Sequence, residues 1–457
     1  MSEAVAGPAG SPSTLDRAYE FLSGDDAADR SCAAIPDSAC TALPRNYLLN
    51  VANGACTKLA EQLASPGLVL PWVIGALGAP AFLVGLLQPV KQAGSLLPQL
   101  AAAGAIRRLA RRKWAWVMAG VTQAACLLLM IPAAILLPPM AAGIALVLLL
   151  GLFSMASGVG SVAFQDVTGK TVPKGRRGRM LANRAAIGGA LTLAAGIGLR
   201  WGLEGEAESI FPYLLLIAAA AILWALGALC FAAMEEEEGA REGGKTPLDS
   251  FRDGLQLMRD KPGFRKFLLA RNLLLSVELA MPVYALHAQR TVGEGLGGLG
   301  LFVIAVGIAA ILSSPFWGLF ADRSSRLVMG LSGLVATLAA VLALALPHLG
   351  EAYQTPLAYA LVFVIIGIAE AGVRLGRKTY LVDGAPAGEK GLYAAFSNTA
   401  TGALTVIAGA AGASVLAFGV EPTILLLGVL GALSALACAR MPEADRMADQ
   451  MADRMAG

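Results

Sequence analysis

The chain has 457 residues, of which 56% are hydrophobic and 15% charged, and its mean hydropathy is +0.66. A soluble globular domain is about 45–50% apolar and about 25% charged, so this composition predicts a membrane protein and excludes a large soluble one. A net charge of +3 is too small to indicate a nucleic-acid-binding protein. The six cysteines show no CxxC spacing, so we expect no zinc site, no redox site and no disulfide framework.

The stretch 1–42 is acidic and lacks an apolar core, which is not the pattern of a signal peptide. We therefore expect a cytosolic N-terminal extension. Its alanine, glycine and serine content favours mobility over a packed domain, with at most a short helix over TLDRAYEFL, residues 14–22.

Twelve apolar segments follow, each near the 20 or so residues that a helix needs to cross the hydrocarbon core. A polar linker, residues 234–262, contains four consecutive glutamates and a stretch with the spacing of a surface helix. It separates a first bundle of six segments, 43–233, from a second, 263–440, and residues 441–457 are predicted as a cytosolic tail. The segments are centred near residues 58, 91, 125, 152, 190, 221, 277, 308, 337, 366, 405 and 430.

The loops between the segments predict the orientation of the chain. Four basic stretches follow segments 2, 4, 8 and 10, namely IRRLARRK, GKTVPKGRRGR, ADRSSR and RLGRK, whereas the loops on the other side are neutral or acidic. By the positive-inside rule, the basic side and both termini are cytoplasmic. The sequence thus predicts a multi-pass protein of the cell (inner) membrane.

The two halves are related to each other. When Val172 is placed on Ala385, VPKGRRGRMLANRAAIGGALTLAAG aligns with APAGEKGLYAAFSNTATGALTVIAG, with a shared GALT and with a proline and two glycines in register. Alanine and glycine matches alone carry little weight, but this set indicates an internal duplication of a six-helix unit.

The loop GLFADRSSR, from Gly318 to Arg326, resembles the GxxxDRxGR signature of the major facilitator superfamily, with Ser325 in place of the last glycine. The corresponding loop of the first half begins at Gly104. Its sequence offset from Gly318 is nearly the same as the offset between the two aligned halves. Together with the repeat and the linker, the resemblance covers about residues 43–440. It implies an all-α membrane protein of twelve transmembrane helices in two pseudo-symmetric six-helix bundles, with cytoplasmic N and C termini and a central cavity lined by helices 1, 4, 7 and 10.

The first copy of the signature, GAIRRLARRK, carries Arg108 where the family has an acid. A matching exchange places Arg176 before segment 5 and Glu389 before segment 11. We therefore predict two charge-reversed latches between the bundles, with Asp322 near Arg176 or its neighbour and Arg108 facing Glu389. The alternative is drift in a surface loop, where ion pairs contribute only about 0–1 kcal/mol each. The predicted gating residues are Arg108, Arg176, Asp322, Arg323, Arg326 and Glu389.

Polar side chains recur inside segments 1 and 2. Asn46, Asn50, Asn53, Thr57 and Glu61 share one face of segment 1, with Lys58 beside them, and Gln88, Lys91, Ser95 and Gln99 share a face of segment 2. At 1.5 Å per residue, Lys58 and Lys91 lie roughly 18 and 19 Å from the cytoplasmic ends of their segments.

A charge at that depth costs at least about 2.5–3.5 kcal/mol, so these side chains must face protein or a water-filled cavity. One acid, Glu61, cannot neutralise both Lys58 and Lys91. The first half is therefore predicted to carry excess positive charge that receives an anionic group. The alternative is that Lys91 only neutralises Glu61 or Glu278.

The second half carries acids. Glu278 stands in the middle of segment 7 without a partner in that segment, which makes it a candidate proton site, unless a cavity lysine holds it. Glu370 in segment 10 has Arg374 at i+4 as an intrahelical partner. The predicted solute- and ion-binding residues are Asn50, Asn53, Lys58, Glu61, Gln88, Lys91, Glu278 and Glu370.

These features predict a secondary active transporter of a small polar or anionic solute, working by alternating access and coupled to protons. The sequence has no phosphate loop, nucleophile–base set or metal constellation, so we expect neither ATP drive nor an enzyme, and no cofactor. The expected partners are the solute, protons and the lipid bilayer, without nucleic acid, and the expected state is a monomer. The alternatives are a drug or metabolite efflux antiporter, disfavoured because AIGGALTLAAGIG lacks a proline–glycine signature, and a non-transporting assembly factor or receptor.

Overall fold

The computed structural model describes residues 14–24, 40–173, 176–202, 210–238, 247–292, 296–321, 323–386 and 390–444. This part of the chain consists of helices joined by short connections and contains no strand. Nine of its helical spans are long and apolar enough to cross a membrane. The chain is therefore a multi-pass, all-α membrane protein.

In the first half, segments 1 and 2 are each broken into two helices. Pro66 lies in the first break and Pro98 in the second, as expected because proline has no backbone N–H to donate to a helix. Segments 3 to 6 are each one helix. The helices are α1 (Thr14–Ser23), α2 (Leu43–Leu63), α3 (Val69–Ala76), α4 (Phe82–Leu96), α5 (Gln99–Arg107), α6 (Lys113–Leu136), α7 (Pro139–Thr171), α8 (Arg177–Gly202) and α9 (Phe211–Ala232).

The second half follows a linker helix; its segment 7 is broken into three helices, whereas segments 8 to 12 are each one helix. Each of the twelve predicted segment centres lies within a helix, and α8 and α17 begin at Arg177 and Lys390, two residues that the alignment of the halves also pairs. The helices are α10 (Pro247–Asp260), α11 (Pro262–Leu273), α12 (Leu275–Glu278), α13 (Ala280–Val292), α14 (Leu296–Ala321), α15 (Ser325–Ala345), α16 (Pro356–Gly384), α17 (Lys390–Phe418) and α18 (Val420–Ala439), with short 3-10 turns at Leu346–His348 and Glu351–Tyr353.

The two halves pack through two equivalent helix pairs, α4 with α17 and α8 with α14. Glycines allow both close approaches. A Cβ atom at Gly409 would lie 2.3 Å from Cβ of Pro89, and one at Gly196 would lie 2.9 Å from Cγ1 of Ile304. Each pair joins the second segment of one half to the fifth segment of the other, so the interface is pseudo-symmetric.

The central space is closed at one end and open at the other. At the end opposite the basic loops, Trp72 of α3 is fully buried and lies against Phe302 of α14, with ring centroids 6.4 Å apart. Gly75 of α3 faces Gln289 of α13 so closely that a Cβ atom would lie 2.4 Å from its Nε2. Towards the basic loops, by contrast, the mid-helix side chains of Lys58 and Arg374 are 53% and 54% exposed.

Part of the N-terminal extension is packed, contrary to the expected mobility. The short helix forms as α1, and its Tyr19 is fully buried with its ring edge-on to that of Tyr47, centroids 5.3 Å apart. Asn183 of α8 donates to the carbonyl of Leu22 at 2.7 Å and to the Tyr47 hydroxyl at 3.0 Å. The aromatic face of α1 therefore docks between α2 and α8, which the composition of the extension did not reveal.

One cysteine of the described residues is bonded, whereas we expected no disulfide framework from the sequence. Cys40, just before α2, is disulfide-bonded. Cys56, Cys126, Cys230 and Cys438 are free thiols.

Candidate solute-binding site

Charged side chains from both halves meet at the inner end of the open space. Lys58 and Glu61 of α2 form an ion pair, with Nζ 2.9 Å from Oε2. Glu370 and Arg374 of α16 form a second, with Nη2 3.4 Å from Oε1. Lys91 of α4 is in electrostatic range of both pairs. The tertiary structure thus brings together side chains that the sequence predicted separately in three segments.

Lys91 differs from its neighbours because it makes no hydrogen bond or ion pair within the described part of the chain. It lines a pocket of about 90 Å³ together with Glu61 and three serine residues of α4 and α7. Two of these, Ser95 and Ser154, donate their hydroxyl protons to backbone carbonyls of their own helices at 3.0 and 2.7 Å. The Lys91 ammonium is therefore close to polar groups, but no acid among the described residues contacts and neutralises it.

Glu278 is buried between the two halves, with 6% of its side chain exposed. Its Oε1 lies 3.0 Å from Nη1 of Arg377 in α16, and its Oε2 accepts a hydrogen bond of 2.9 Å from Nε2 of Gln92 in α4. The carboxylate thus has an arginine partner in its own half and an amide partner in the other. Neither Arg377 nor Gln92 is among the predicted site residues.

The prediction that RLGRK forms a loop after segment 10 is wrong. Helix α16 continues to Gly384, so Arg374, Arg377 and Lys378 are all helical. A cluster of cations after an apolar stretch is typical of a cytoplasmic loop, and composition alone does not separate that case from a charged cavity wall. The i, i+4, i+8 spacing of Glu370, Arg374 and Lys378 was the signal for a continuing helix.

Two arginines, the half-buried Arg184 and the buried Arg271, were also missed, and each bonds the first segment of a half to the fifth. In the first half, Arg184 of α8 donates to the side-chain oxygens of Asn50 and, at 3.0 Å, Asn53. In the second half, Arg271 of α11, which is 4% exposed, donates to the Ser397 hydroxyl and at 2.8 Å to Oδ1 of a neighbouring asparagine in α17. A lone arginine within an apolar segment was the available signal.

Besides Glu278, three predicted binding residues are buried in this conformation. Asn50 and Asn53 are fully buried and face Arg184 inside the first half. Gln88 is also buried, and its Oε1 has no hydrogen-bond partner within the described residues. The helical face was assigned from spacing, which does not distinguish a cavity wall from a polar contact between helices.

The predicted latches stay predictions, because Asp322 and Glu389 lie outside the described residues. Arg108 and Arg323 are exposed, and Arg176 is half-buried just before α8. Arg326 is engaged within the second half, where its Nη2 lies 2.6 Å from Oε1 of Glu443 and its Nη1 donates to the Met441 carbonyl at 2.8 Å. In this conformation Arg326 holds the segment after α18 rather than the first half.

The described structure thus has two pseudo-symmetric helical halves around a charged space that opens at one end. Residues 273–450 match the Major Facilitator Superfamily. The matched residues lie in the second half of the chain, and the fold of both halves is consistent with that family.

Solved transporters share this fold at low sequence identity. The D-xylose-proton symporter superposes with a TM-score of 0.64 and 14% identity over 88% of this chain and 98% of that one. The peptide transporter POT in complex with sulfate gives 0.66 and 14% over 88% and 95%. The nucleoside transporter NupG gives 0.61 and 12% over 87% and 99%. At these identities the similarity shows the fold alone.

Sequence relatives are found in mycobacteria. Uncharacterized protein Rv2209 of Mycobacterium tuberculosis and uncharacterized protein Mb2232 of Mycobacterium bovis are each 28% identical to this chain over 305 residues. The match covers 64% of this chain and 56% of each relative. The chain thus spans about half the length of the curated relatives that it matches.

Proposed function

We propose that the protein is a secondary active transporter that moves a small anionic solute by alternating access of its two halves. The observation that carries the proposal is the ammonium of Lys91, unpaired among the described residues, at the inner end of a space that opens to one side. The twelve-span arrangement, the cytoplasmic position of the basic end and both termini, the cell (inner) membrane location and the monomeric state belong to the same proposal.

The balance of charge around the cavity supports an anion over a neutral solute. Arg184 is half-buried in the first half, and no acid of the described ranges hydrogen-bonds to it. Lys378 is exposed on α16 and interacts electrostatically with Lys58 across the space, both being cations. An anion reduces such an excess, which would otherwise be costly at this depth. Around this space lie the cations Lys58, Lys91, Arg184, Arg271, Arg374, Arg377 and Lys378 and the acids Glu61, Glu278 and Glu370.

The alternative role of Lys91, neutralising an acid, is less favoured by the contacts. Glu61 is already bonded to Lys58, and Glu278 is bonded to Arg377. A second cation near Glu61 stabilises the carboxylate charge less than the first, because the carboxylate retains its own partner. Lys91 is therefore the side chain in the cluster that is most available to a solute.

The test begins with a thermal-shift screen of the purified protein against matched carboxylates, phosphate esters and neutral analogues. The best hit is then used in binding and proteoliposome counterflow assays with Lys91→Gln, Lys91→Arg and the double variant Lys91→Gln, Glu61→Gln. If Lys91 receives the anion, the double variant stays deficient and Lys91→Arg retains a fraction of the affinity. Lys266→Gln, which removes an exposed cation near the basic end, is the matched control.

Three outcomes would contradict the proposal. Near-wild-type binding by the double variant would assign Lys91 to neutralising Glu61. Preference for the neutral analogues would refute the anionic solute. Binding without counterflow would identify a non-transporting receptor of the same fold.

Proton coupling is the second part of the proposal and rests on Glu278. Protonation removes the negative charge that both Arg377 and Gln92 bind, so the proton and these contacts are linked. Glu278→Gln should abolish proton-driven accumulation while solute exchange continues. Glu421→Gln, an exposed acid at the far end of α18, should leave accumulation unchanged, and a wild-type pH dependence of accumulation in Glu278→Gln would exclude this proton site.

A further inference from the structure

Helix α4 of the first half and the residues that follow it are bonded to the second half at two positions. Gln92 donates to Oε2 of Glu278 at 2.9 Å. Two turns later along the chain, Gln99 accepts a hydrogen bond of 3.4 Å from Nδ2 of Asn398 in α17. Both contacts are made by a glutamine side chain, but only the first has a titratable partner.

The two contacts differ in how their strength depends on charge. The bond to Glu278 is charge-assisted, and such bonds are about twice as strong as neutral ones. The bond between Gln99 and Asn398 joins two neutral amides and is longer, so it has no comparable dependence on pH. The chain therefore contains both a charge-dependent contact and a matched charge-independent one between the same two halves.

The charged side chains nearest Glu278 belong to the second half. Arg377 of α16 binds Oε1 directly, and Arg271 of α11 is in electrostatic range. Helix α18 also packs against α12, and its single charged residue, Glu421, lies at its far end. From α4, Gln92 faces the carboxylate, while Lys91 interacts with the acids of the cavity cluster. Gln92 thus gives Glu278 its described hydrogen bond to the first half.

We propose that Gln92 is a positioning residue that transmits the protonation state of Glu278 to the relative position of the two halves. This inference rests on the proposed function and identifies how its proton site is coupled to the conformational change. With Glu278 ionised, the amide of Gln92 holds α4 to the second half in the state that opens at the basic end. Protonation weakens this bond, and the halves are then released towards the other state.

The experiment measures the distance between the halves in the absence of solute. Spin labels on cysteines at Gln165 of α7 and Asp383 of α16, both exposed near the basic end, report opening. They are placed in a variant whose four free cysteines among the described residues are replaced by alanine and whose disulfide at Cys40 is kept. Electron–electron distance distributions are recorded over a series of pH values. Solute affinity is measured separately on the same variants.

With wild-type Gln92, the fraction open at the basic end should increase with pH. In Gln92→Leu this fraction should become independent of pH, with the open-to-closed ratio reduced roughly ten- to hundred-fold at high pH, the range expected for one hydrogen bond to a charged group. Glu278→Gln should give the same pH-independent behaviour. Gln99→Leu should retain the pH dependence, because its partner does not titrate.

Full pH dependence in Gln92→Leu, or its equal loss in Gln99→Leu, would overturn the inference, because either result removes the special role of Gln92. Full pH dependence in Glu278→Gln would overturn it as well, by placing the proton elsewhere. The proposed transport function fails in a different way, through absence of solute counterflow. A protein without counterflow whose distances still depend on pH through Gln92 would refute transport and support the role of Gln92.

Discussion

Glu236 is predicted to be the carboxylate on which the stability of the first half depends most. It follows α9, and its side chain is fully buried. It accepts hydrogen bonds from the backbone N–H groups of Arg112 and Lys113 at 3.0 and 2.7 Å, and it pairs with Nζ of Lys170 at 2.9 Å. One carboxylate thus caps the start of α6 and binds the end of α7.

Glu236→Ala removes all three contacts and leaves the two half-buried N–H groups without this acceptor. Breaking a buried ion pair from one side costs about 3–5 kcal/mol, and we expect the free energy of unfolding to fall by that amount. Glu236→Gln keeps an oxygen acceptor but loses the charge, so the expected loss is smaller, about 1.5–3 kcal/mol. A double-mutant cycle with Lys170→Ala separates the ion pair from the cap.

The assay is denaturant unfolding of the detergent-purified protein, followed by tryptophan fluorescence and by proteolysis. Glu238→Ala is the matched control in the same loop, because Glu238 is 65% exposed and lies 3.9 Å from Nη2 of Arg111. Such a pair contributes about 0–1 kcal/mol. Equal unfolding free energies for Glu236→Ala and Glu238→Ala would refute the reasoning that burial and the cap make Glu236 important.

Three further predictions concern the interface, the N-terminal helix and the latches. Gly409→Val should disrupt the contact of α17 with the proline of α4 and lower the free energy of unfolding by about 1–3 kcal/mol, measured as a lower unfolding midpoint. Gly412→Ala should be neutral, because an added Cβ there meets no atom within 4 Å. Tyr19→Ala should release α1 and make the N-terminal segment sensitive to limited proteolysis while transport-competent protein remains folded; unchanged protection would contradict the docking. Exchanging Arg108 and Glu389 should preserve transport better than either single charge reversal, and equal loss in all three variants would count against that latch.

The repeat gives the Glu236 prediction an internal comparison. In the second half, Glu443 holds the loop before the third segment in the equivalent way, accepting from the Ser324 hydroxyl at 2.8 Å and pairing with Arg326 at 2.6 Å. Its side chain is 35% exposed, so solvent screens the pair. We therefore expect Glu443→Ala to destabilise the protein less than Glu236→Ala.

The sequence by itself determined the helical membrane architecture, the duplication and the approximate depth of the polar residues. These are properties of length and local period, because a span requires a run of apolar residues and a helix places residues three or four apart on one face. The sequence also determined local pairs such as Lys58 with Glu61, since their spacing alone brings them together. The prediction of a loop for the basic stretch before Gly384 was wrong, because a loop and a cavity wall can have the same charge composition.

Only the tertiary structure decided which distant groups meet. Glu278 and Arg377 belong to different segments of the second half, and Gln92 comes from the other half, so their contact depends on how whole helices pack. The same holds for Arg184, whose partners in α2 turn a polar helix face into an internal contact. A bilayer requires every intramembrane charge to have a partner or water, but it does not specify which partner. The packing of the helices decides this, and it leaves Lys91 as a cavity cation without a contacting acid in the described part of the chain.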